Sequence, residues 1–165
     1  MRSAKPVVIK VGGGALAGGA LEDLTHLVSA GHKVAVVHGG GVQLTRMLDA
    51  LGIPTRFHAG LRVTDESTLE VAEIVLAGGV NKNLSRGLGA MGVPAAGISG
   101  TDGPTLVVEA VPDLGRVGKV VGVETHLIEA LWKGGFVPEP SHFVMFIAFL
   151  VALIAASGWY RFRQG

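Results

Sequence analysis

Apolar and polar positions near the start of the chain form two similar units, each with a continuous apolar run, a glycine-rich loop and an amphipathic stretch. The runs occupy residues 7–11 and 34–37, the loops 12–14 and 38–41, and the amphipathic stretches 21–30 and 42–51. A short continuous apolar run is typical of a strand buried on both faces. Leucines spaced by three or four residues are typical of a helix. Two successive strand–loop–helix units predict an α/β fold in which helices cover a parallel sheet.

The pattern after residue 52 predicts further helices and strands at less regular spacing. We expect a hairpin or loop, then a long helix whose first turn carries the acidic residues Asp65 and Glu66, where the helix dipole favours them. A strand with a turn, two paired strands and a last helix follow. These elements occupy residues 53–63 (hairpin or loop), 65–88 (helix), 94–98 (strand), 99–103 (turn), 106–110 and 117–123 (paired strands) and 124–133 (helix).

Residues 143–160 form an apolar run without a charged residue. Its 18 residues would span about 27 Å as a helix, close to the thickness of the hydrocarbon core of a membrane. Trp159 and Tyr160 lie where interfacial aromatic residues are common, and Arg161 follows them. We therefore predict a single transmembrane helix. A buried core helix is the alternative, and it is less favoured because a helix that is apolar all round needs a large protein around it.

The expected orientation of this segment conflicts with the rest of the chain. Arg161 and Arg163 favour a cytoplasmic C-terminus, which would place the preceding domain outside the cell. The N-terminal residues do not have the pattern of a signal peptide. We therefore expect the apolar run to be unrelated sequence, joined to a truncated domain by a frameshift, a rearrangement or an assembly error.

Composition excludes several classes of function. The formal net charge of +1 gives no support for nucleic-acid binding, and the absence of cysteine excludes disulfides and cysteine-based metal sites. The six histidines form no HxxxH or HExxH pair, so we predict no metal site. The GxxxxGK[ST] motif of P-loop proteins is missing, and the HGGG sequence at 38–41 lacks the GxSxG motif that accompanies it in esterases.

The two glycine loops lie at the carboxyl ends of predicted parallel strands, where open α/β sheets bind ligands. A glycine loop can simply form a turn, or its backbone N–H groups can hold an anion beside a helix N-terminus. Two such loops at one sheet edge favour the anion. Lys10 supports this interpretation, because its ammonium group, two residues before the first loop, can reach a bound phosphate. The alternative is a lysine that extends into solvent from an edge strand.

Within residues 5–138 the chain contains, in order, the segments VIKVGGGAL, VAVVHGGGVQ, GLRVTDESTLEVAEIVLAGGVNK and GISGTDG. Together they resemble the N-terminal half of the acetylglutamate kinases, which belong to the amino acid kinase family. The resemblance implies a parallel-sheet sandwich of the amino acid kinase type. It also implies phosphorylation of the side-chain carboxylate of N-acetyl-L-glutamate in cytoplasmic arginine biosynthesis, with ATP and Mg²⁺. The aminoadipate kinases of lysine biosynthesis share much of this pattern and are an alternative.

The resemblance also implies roles for five residues of the glycine loops and the first strand. Lys10 would stabilise negative charge on the transferred phosphoryl group. Gly12 and Gly13 would lie against the β- and γ-phosphates of ATP. Gly40 and Gly41 would hold the reacting carboxylate of acetylglutamate through their backbone N–H groups. Lys10 is thus the implied catalytic residue.

Arg62 would pair with the α-carboxylate of the substrate, a task suited to a guanidinium group; an isolated loop arginine would more often simply be solvated. The resemblance further implies a homodimer, formed through the long helix that starts near Asp65. Asn81, Lys82 and Asp102 also match the family pattern, but we assign them no chemical role.

The resemblance ends near Pro138, and members of the family are considerably longer than the matching region. Beyond this residue we expect no counterpart of the core strand that family members form there. Because the resemblance places most of the ATP site in the second half of such proteins, we expect no useful kinase activity from this chain alone. We divide the chain into a kinase-like N-terminal lobe (1–138), a transmembrane helix (143–160) and a basic tail (161–165).

Two competing hypotheses remain. The first is a non-catalytic module that binds acidic amino acids and is anchored in a membrane through the apolar run. The second is a non-functional fusion whose incomplete sheet exposes an edge, which would favour aggregation.

Overall fold

The structure, a computed structural model, describes residues 6–11 and 20–141. In chain order its elements are β1 (Val7–Val11), α1 (Ala20–Ser29), β2 (Val34–His38), α2 (Gly41–Ala50), β3 (Arg56–His58), β4 (Leu61–Val63), α3 (Glu66–Glu73), a π-helical segment (Ile74–Val80), α4 (Asn81–Ala90), β5 (Ala95–Ser99), β6 (Leu106–Ala110), β7 (Gly118–Val123), α5 (His126–Lys133) and β8 (Val137–Ser141).

Four strands form a parallel sheet in the order β1-β2-β8-β5. The predicted α/β fold with a parallel sheet is therefore confirmed. The register aligns the ends of the strands, because Val11 pairs with His38, His38 with Ser141, and Ser141 with Ser99. All four strands thus present their carboxyl ends at one edge of the sheet.

Both faces of this sheet are covered. Along β2, Val34 and Val36 pack on the side of α1 and α4, whereas Ala35 and Val37 pack on the side of α5 and the β6–β7 hairpin. All five residues of β2 are buried. Burial on both faces explains why this strand is a continuous apolar run rather than an alternating one.

The helix predicted over 65–88 is helical throughout but is not a single α-helix. Asp65 caps its start, and its Oδ1 accepts a hydrogen bond from the Thr68 backbone N–H at 2.9 Å. The π-helical segment then interrupts it before α4. This wider segment separates two packing directions: Val75 and Val80 contact the α2 side, whereas Leu84 packs against the sheet. A single helical period could not predict this change of face.

The predicted hairpins are confirmed. Residues 53–63 contain the antiparallel pair β3–β4, and the two later strands form the antiparallel pair β6–β7. The turn between β6 and β7 packs closely against the start of α3. A Cβ atom on Gly115 would lie 2.2 Å from the Thr64 carbonyl oxygen, and the positive φ of +72° also favours glycine there.

Strand β8 contradicts one expectation. We expected no core strand beyond Pro138, yet Val137–Ser141 forms a central strand between β2 and β5. Prolines are rare in such positions because they lack an N–H group. Val137 donates its N–H toward β5, to the Pro94 carbonyl at 2.8 Å, and successive residues of a strand alternate sides. Pro138 and Pro140 therefore lack N–H groups on the side of β8 that faces β2. Between these two strands one pair of residues, His38 and Ser141, is in register.

No helix within residues 6–11 and 20–141 is long and apolar enough to cross a membrane. The predicted transmembrane helix at 143–160 and the basic tail at 161–165 lie outside the described residues.

Leu88→Ala should test the face of the sheet covered by α4. Leu88 is 0% exposed and belongs to the core cluster that this helix forms with the strands. We expect the free energy of unfolding to fall by about 2–5 kcal/mol, because buried contacts are lost and a cavity remains. Urea unfolding measures this change.

Leu51→Ala is the matched control, since Leu51 is 57% exposed at the end of α2. We expect it to change the free energy of unfolding by less than about 0.5 kcal/mol. Equal effects of the two substitutions would contradict the packing described for α4.

Candidate functional site

The carboxyl edge of the sheet carries Lys10 and the second glycine loop. Lys10 lies one residue before the end of β1 and is exposed. Strand alternation places it on the same face as Val8, the side of α5. Gly12 and Gly13 follow this strand but lie outside the described residues.

The second glycine loop follows β2 directly and begins helix α2. Gly40 is the N-cap residue and Gly41 the first helical residue. Gly40 has an extended φ of −172°, and the reason for glycine there is steric, because a Cβ atom would lie 2.5 Å from Leu76 Cδ2. The first N–H groups of a helix have no acceptor within the helix, and its dipole favours an anion. This end of α2 is therefore suited to bind a negatively charged group.

Arg62 on β4 is held beside the first turn of α2. Its Nη2 donates to Thr45 Oγ1 at 2.8 Å, and its Nη1 donates to Thr55 Oγ1 at 2.9 Å. The Thr45 hydroxyl in turn donates to the Gly41 carbonyl at 2.9 Å. The guanidinium also lies 4.9 Å from the centre of the Phe57 ring. A single hydroxyl group thus links the cation to the glycine-rich start of α2.

Of the predicted residues, Gly40, Gly41 and Arg62 are therefore brought together, although Arg62 is distant in sequence. Partial burial lowers the pKa of the Arg62 guanidinium from its ordinary value, but arginine remains protonated at neutral pH. Arg62 supplies a positive charge one turn along α2 from its glycine-rich start, where the first backbone N–H groups of the helix are donors. This arrangement can bind a molecule with more than one negative charge.

A cavity of about 360 Å³ lies between the helical stretch formed by α3 and the π-helical segment and the β6–β7 hairpin. It is lined by Leu69, Ala72, Glu73, Leu76, Ala77, Ser99, Gly100, Thr101, Leu106, Val108, Arg116, Val120 and Ser141. Leu76 borders both the cavity and the space above Gly40. Sequence reasoning did not find this cavity, because the elements around it are far apart in the chain.

A buried polar network underlies the site and was also missed. Asn81, at the start of α4, is 1% exposed. Its Nδ2 lies 3.0 Å from His38 Nε2 and 2.7 Å from the Glu139 carbonyl oxygen. Lys82 donates to Asn81 Oδ1 at 2.9 Å and to the Gly97 carbonyl at 3.1 Å. The first turn of α4 thereby connects β2, β5 and β8. The sequence signal for this network is the VNK end of the third segment that resembles the family, which carries Asn81 and Lys82.

Gly97 makes room for this network. A Cβ atom at this position would lie 1.8 Å from Asn81 Oδ1 and 2.8 Å from Lys82 Nζ. Glycine in a strand interior often marks such a close approach.

Glu139 is a buried carboxyl group in the middle of the sheet, with 0% exposure. Its Oε2 accepts a hydrogen bond from Ser85 Oγ at 3.3 Å, while Oε1 has no hydrogen-bond partner among the described residues. Burial raises the pKa of this carboxyl from 4.5 to about 7, against smaller opposing effects of Ser85 and Lys82. The group therefore titrates near neutral pH.

No group of three His, Cys, Asp or Glu side chains within the described ranges could hold a metal ion. The absence of a metal site from the whole chain stays a prediction. A Mg²⁺ ion used with ATP needs few protein ligands, because the phosphates and water supply most of its coordination.

Comparison with known proteins identifies relatives over most of the chain. The profile of the Amino acid kinase family matches residues 5–144. Acetylglutamate kinase of Rubrobacter xylanophilus is 72% identical over 134 residues, which is 81% of this chain and 53% of that protein. Acetylglutamate kinase of Acidobacterium capsulatum is 48% identical over 141 residues, 79% of this chain and 54% of that protein. The chain thus spans about half the length of these curated relatives.

Solved structures share the fold. The crystal structure of smu.665 from Streptococcus mutans UA159 superposes with a TM-score of 0.83 at 23% identity, covering 93% of this chain and 69% of that one. N-acetylglutamate synthase from Neisseria gonorrhoeae, solved with coenzyme A and N-acetyl-glutamate, superposes with a TM-score of 0.66 at 22% identity, covering 92% and 39%. These likenesses confirm the α/β architecture with its parallel sheet.

Glu139→Gln should make the stability of the protein depend less on pH. Below pH 4.5 the carboxyl is neutral in both the folded and the unfolded state. Between 4.5 and about 7 the unfolded state loses the proton while the folded state keeps it, so the wild type loses stability as pH rises. The variant does not lose stability in this way. The difference in free energy of unfolding between the variant and the wild type should therefore be up to about 3 kcal/mol more favourable to the variant above pH 7 than below pH 4.5.

Chemical unfolding at pH 5 and pH 8 measures this difference. Glu109→Gln, which changes an exposed glutamate on β6, is the control and should alter stability by less than about 0.5 kcal/mol at either pH. If Glu139→Gln gave the same difference at both pH values, Glu139 would not carry the buried proton.

Proposed function

Because the chain belongs to the amino acid kinase family, we propose that it forms the acidic-amino-acid-binding half of an acetylglutamate kinase. The reaction transfers the γ-phosphoryl group of ATP to the side-chain carboxylate of N-acetyl-L-glutamate, in arginine biosynthesis. The names of the two curated relatives described above support this substrate. ATP is a cytoplasmic metabolite, and the proposed reaction belongs to that compartment.

The link from Arg62 through Thr45 to Gly41 carries the proposal. It keeps a guanidinium group beside the N-terminus of α2, and N-acetyl-L-glutamate has two carboxylates to match these two features. Arg62 would bind the α-carboxylate through its planar donors. The N–H groups of Gly40 and Gly41 would hold the reacting carboxylate with one oxygen toward the phosphoryl group.

Lys10, Gly12 and Gly13 would act on the other reactant. In phosphoryl transfer the protein mainly positions the reactants and stabilises charge on the transferred group. Lys10, at the carboxyl end of the neighbouring strand, would supply that positive charge, and the two glycines would approach the phosphates of ATP. ATP would bring Mg²⁺, which neutralises phosphate charge when it is bound.

The extent of the match limits the proposal to this half of the reaction site. The matched region corresponds to about half the length of the relatives. In this proposal, that half is the lobe that binds the acidic substrate. Binding of the acidic substrate is therefore the property to test first, independently of phosphoryl transfer.

Arg62→Ala should weaken binding of N-acetyl-L-glutamate to the full chain by about tenfold to a hundredfold, because a charge-assisted hydrogen bond contributes about 1.5–3 kcal/mol. Arg62→Lys should retain part of the affinity, since the charge remains without the bidentate geometry. Arg56→Ala removes an exposed arginine from the same hairpin and should leave the affinity unchanged. Isothermal titration calorimetry measures all three.

The choice of ligands sharpens this test. N-acetyl-L-glutamine has a neutral side chain and should bind more weakly, because the start of α2 then faces no anion. Tighter binding of an aminoadipate derivative would assign the chain to the lysine-pathway kinases. Absence of heat with every acidic ligand would contradict the proposed function.

We also propose that two copies of the chain pair through the long helical stretch. Met47 and Ile74 are 42% and 64% exposed, and with Gly78 and Gly79 they line a shallow apolar groove. Small residues let a second helix approach closely, and an apolar patch of this kind is typical of an interface. A symmetric pair would place the groove of each copy against the other.

Ile74→Glu should convert the dimer to a monomer, because burying an unpaired carboxylate at the centre of the interface is unfavourable. Sedimentation equilibrium of the full chain gives the mass. Val121→Glu places the same charge on an exposed position of β7 and should leave the mass unchanged. A wild-type protein that is monomeric at all accessible concentrations would rule out the proposed pairing.

A further inference from the structure

The orientation of the Asn81 side-chain amide is determined by two neighbours that cannot change their roles. The Lys82 ammonium group can only donate, and it lies 2.9 Å from one terminal atom of Asn81. That atom must therefore be the oxygen. The Glu139 carbonyl oxygen can only accept, and it lies 2.7 Å from the other terminal atom, which must be the nitrogen.

This orientation in turn determines the protonation of His38. The same amide nitrogen of Asn81 lies 3.0 Å from His38 Nε2, and an amide nitrogen donates but does not accept. His38 Nε2 must therefore be an unprotonated acceptor. Burial lowers the pKa of His38 by more than the hydrogen bond to the Gly39 carbonyl raises it, and the nearby charge of Lys82 lowers it further. The ring is thus neutral at pH 7 and carries its proton on Nδ1.

The proton on Nδ1 is directed at the glycine loop. His38 Nδ1 lies 3.4 Å from the Gly39 carbonyl oxygen, a long hydrogen bond that the neutral Nδ1–H form can donate. In a trans peptide the C=O and the next N–H point in opposite directions. Holding the Gly39 carbonyl toward the ring therefore turns the Gly40 N–H away from it. Leu76 fills the space above Gly40 and limits other conformations of the loop.

We infer that Asn81 and His38 are positioning residues, which determine the direction of the Gly40 N–H group at the start of α2. Lys82 and the Glu139 carbonyl orient the Asn81 amide. The amide determines which nitrogen of the His38 ring is protonated, and the ring orients the Gly39–Gly40 peptide. The π-helical segment contributes by ending immediately before Asn81, which directs the first turn of α4 at the sheet. The ligand of the Gly40 N–H, an acidic amino acid, rests on the proposed function.

The first test is a nitrogen NMR spectrum of the full chain with labelled histidine. The ring nitrogens of His38 should show a neutral ring protonated at Nδ1, and this result needs no ligand. A wild-type His38 protonated at Nε2 would overturn the inference, because Asn81 could then not donate to it.

Asn81→Asp removes the donor while keeping the size of the side chain. A carboxylate can only accept, so at a pH above the pKa of His38 in this variant, where the ring is neutral, its single proton should move to Nε2 and leave Nδ1 unprotonated. We expect a changed Gly40 amide resonance and about tenfold weaker binding of N-acetyl-L-glutamate, the loss of about one hydrogen bond. Asn83→Asp, an exposed change two residues along the same helix, is the matched control and should alter neither. An unchanged Gly40 resonance in folded Asn81→Asp would overturn the inference.

A second pair of variants avoids a charge in the core. His38→Asn keeps a donor near the position of Nδ1, whereas His38→Gln places its amide near the position of Nε2. We expect His38→Asn to retain the Gly40 resonance and most of the affinity for N-acetyl-L-glutamate. His38→Gln should shift the resonance and bind this ligand about tenfold more weakly. Equal behaviour of the two would contradict a positioning role. If wild-type chain binds no acetylglutamate while the His38 and Gly40 spectra behave as expected, the proposed function fails and the positioning of the loop stands.

Discussion

The need to pair every polar group at the end of a doubly covered sheet governs this structure. Strand β2 is buried along its whole length, and it ends in His38, a polar ring with almost no solvent access. An unpaired polar group at such a position costs free energy comparable to a lost hydrogen bond. Asn81 meets this need, and in doing so it brings the first turn of α4 onto the strands. The hydrogen bond between Asn81 and His38 thereby also positions the glycine loop that follows His38.

The burial of apolar faces explains which features the sequence predicts. Strands β1 and β2 and helices α1 and α2 follow from local periodicity, because each buries the face that its own pattern makes apolar. Arg62 was predicted by resemblance to a family. Its link to α2 through Thr45 depends on two elements that no local pattern relates. The sequence thus predicts which residues form the site but not the contacts between them.

Other features were not predictable because tertiary packing decides them. The π-helical segment contains two consecutive glycines, which weaken an α-helix but do not by themselves predict a wider turn. That turn lies where the helix changes from packing on α2 to packing on the sheet. Strand β8 has two prolines and a glutamate, a composition that argues against a central strand. It forms because β2 and β5 each present an edge on either side of it. Glu139 is consequently buried with one oxygen unpaired among the described residues.

The prolines of β8 give the sheet an internal seam. Strands β1 and β2 are joined by five registered pairs, and β5 and β8 by another five, whereas β2 and β8 share one. The sheet therefore consists of two well-registered strand pairs that lie side by side, with one registered pair between them. The Asn81 amide bridges this seam near the carboxyl edge of the sheet, because it contacts His38 on β2 and the Glu139 carbonyl oxygen on β8. A side chain thus adds hydrogen bonds between β2 and β8 at the place where the prolines remove backbone donors.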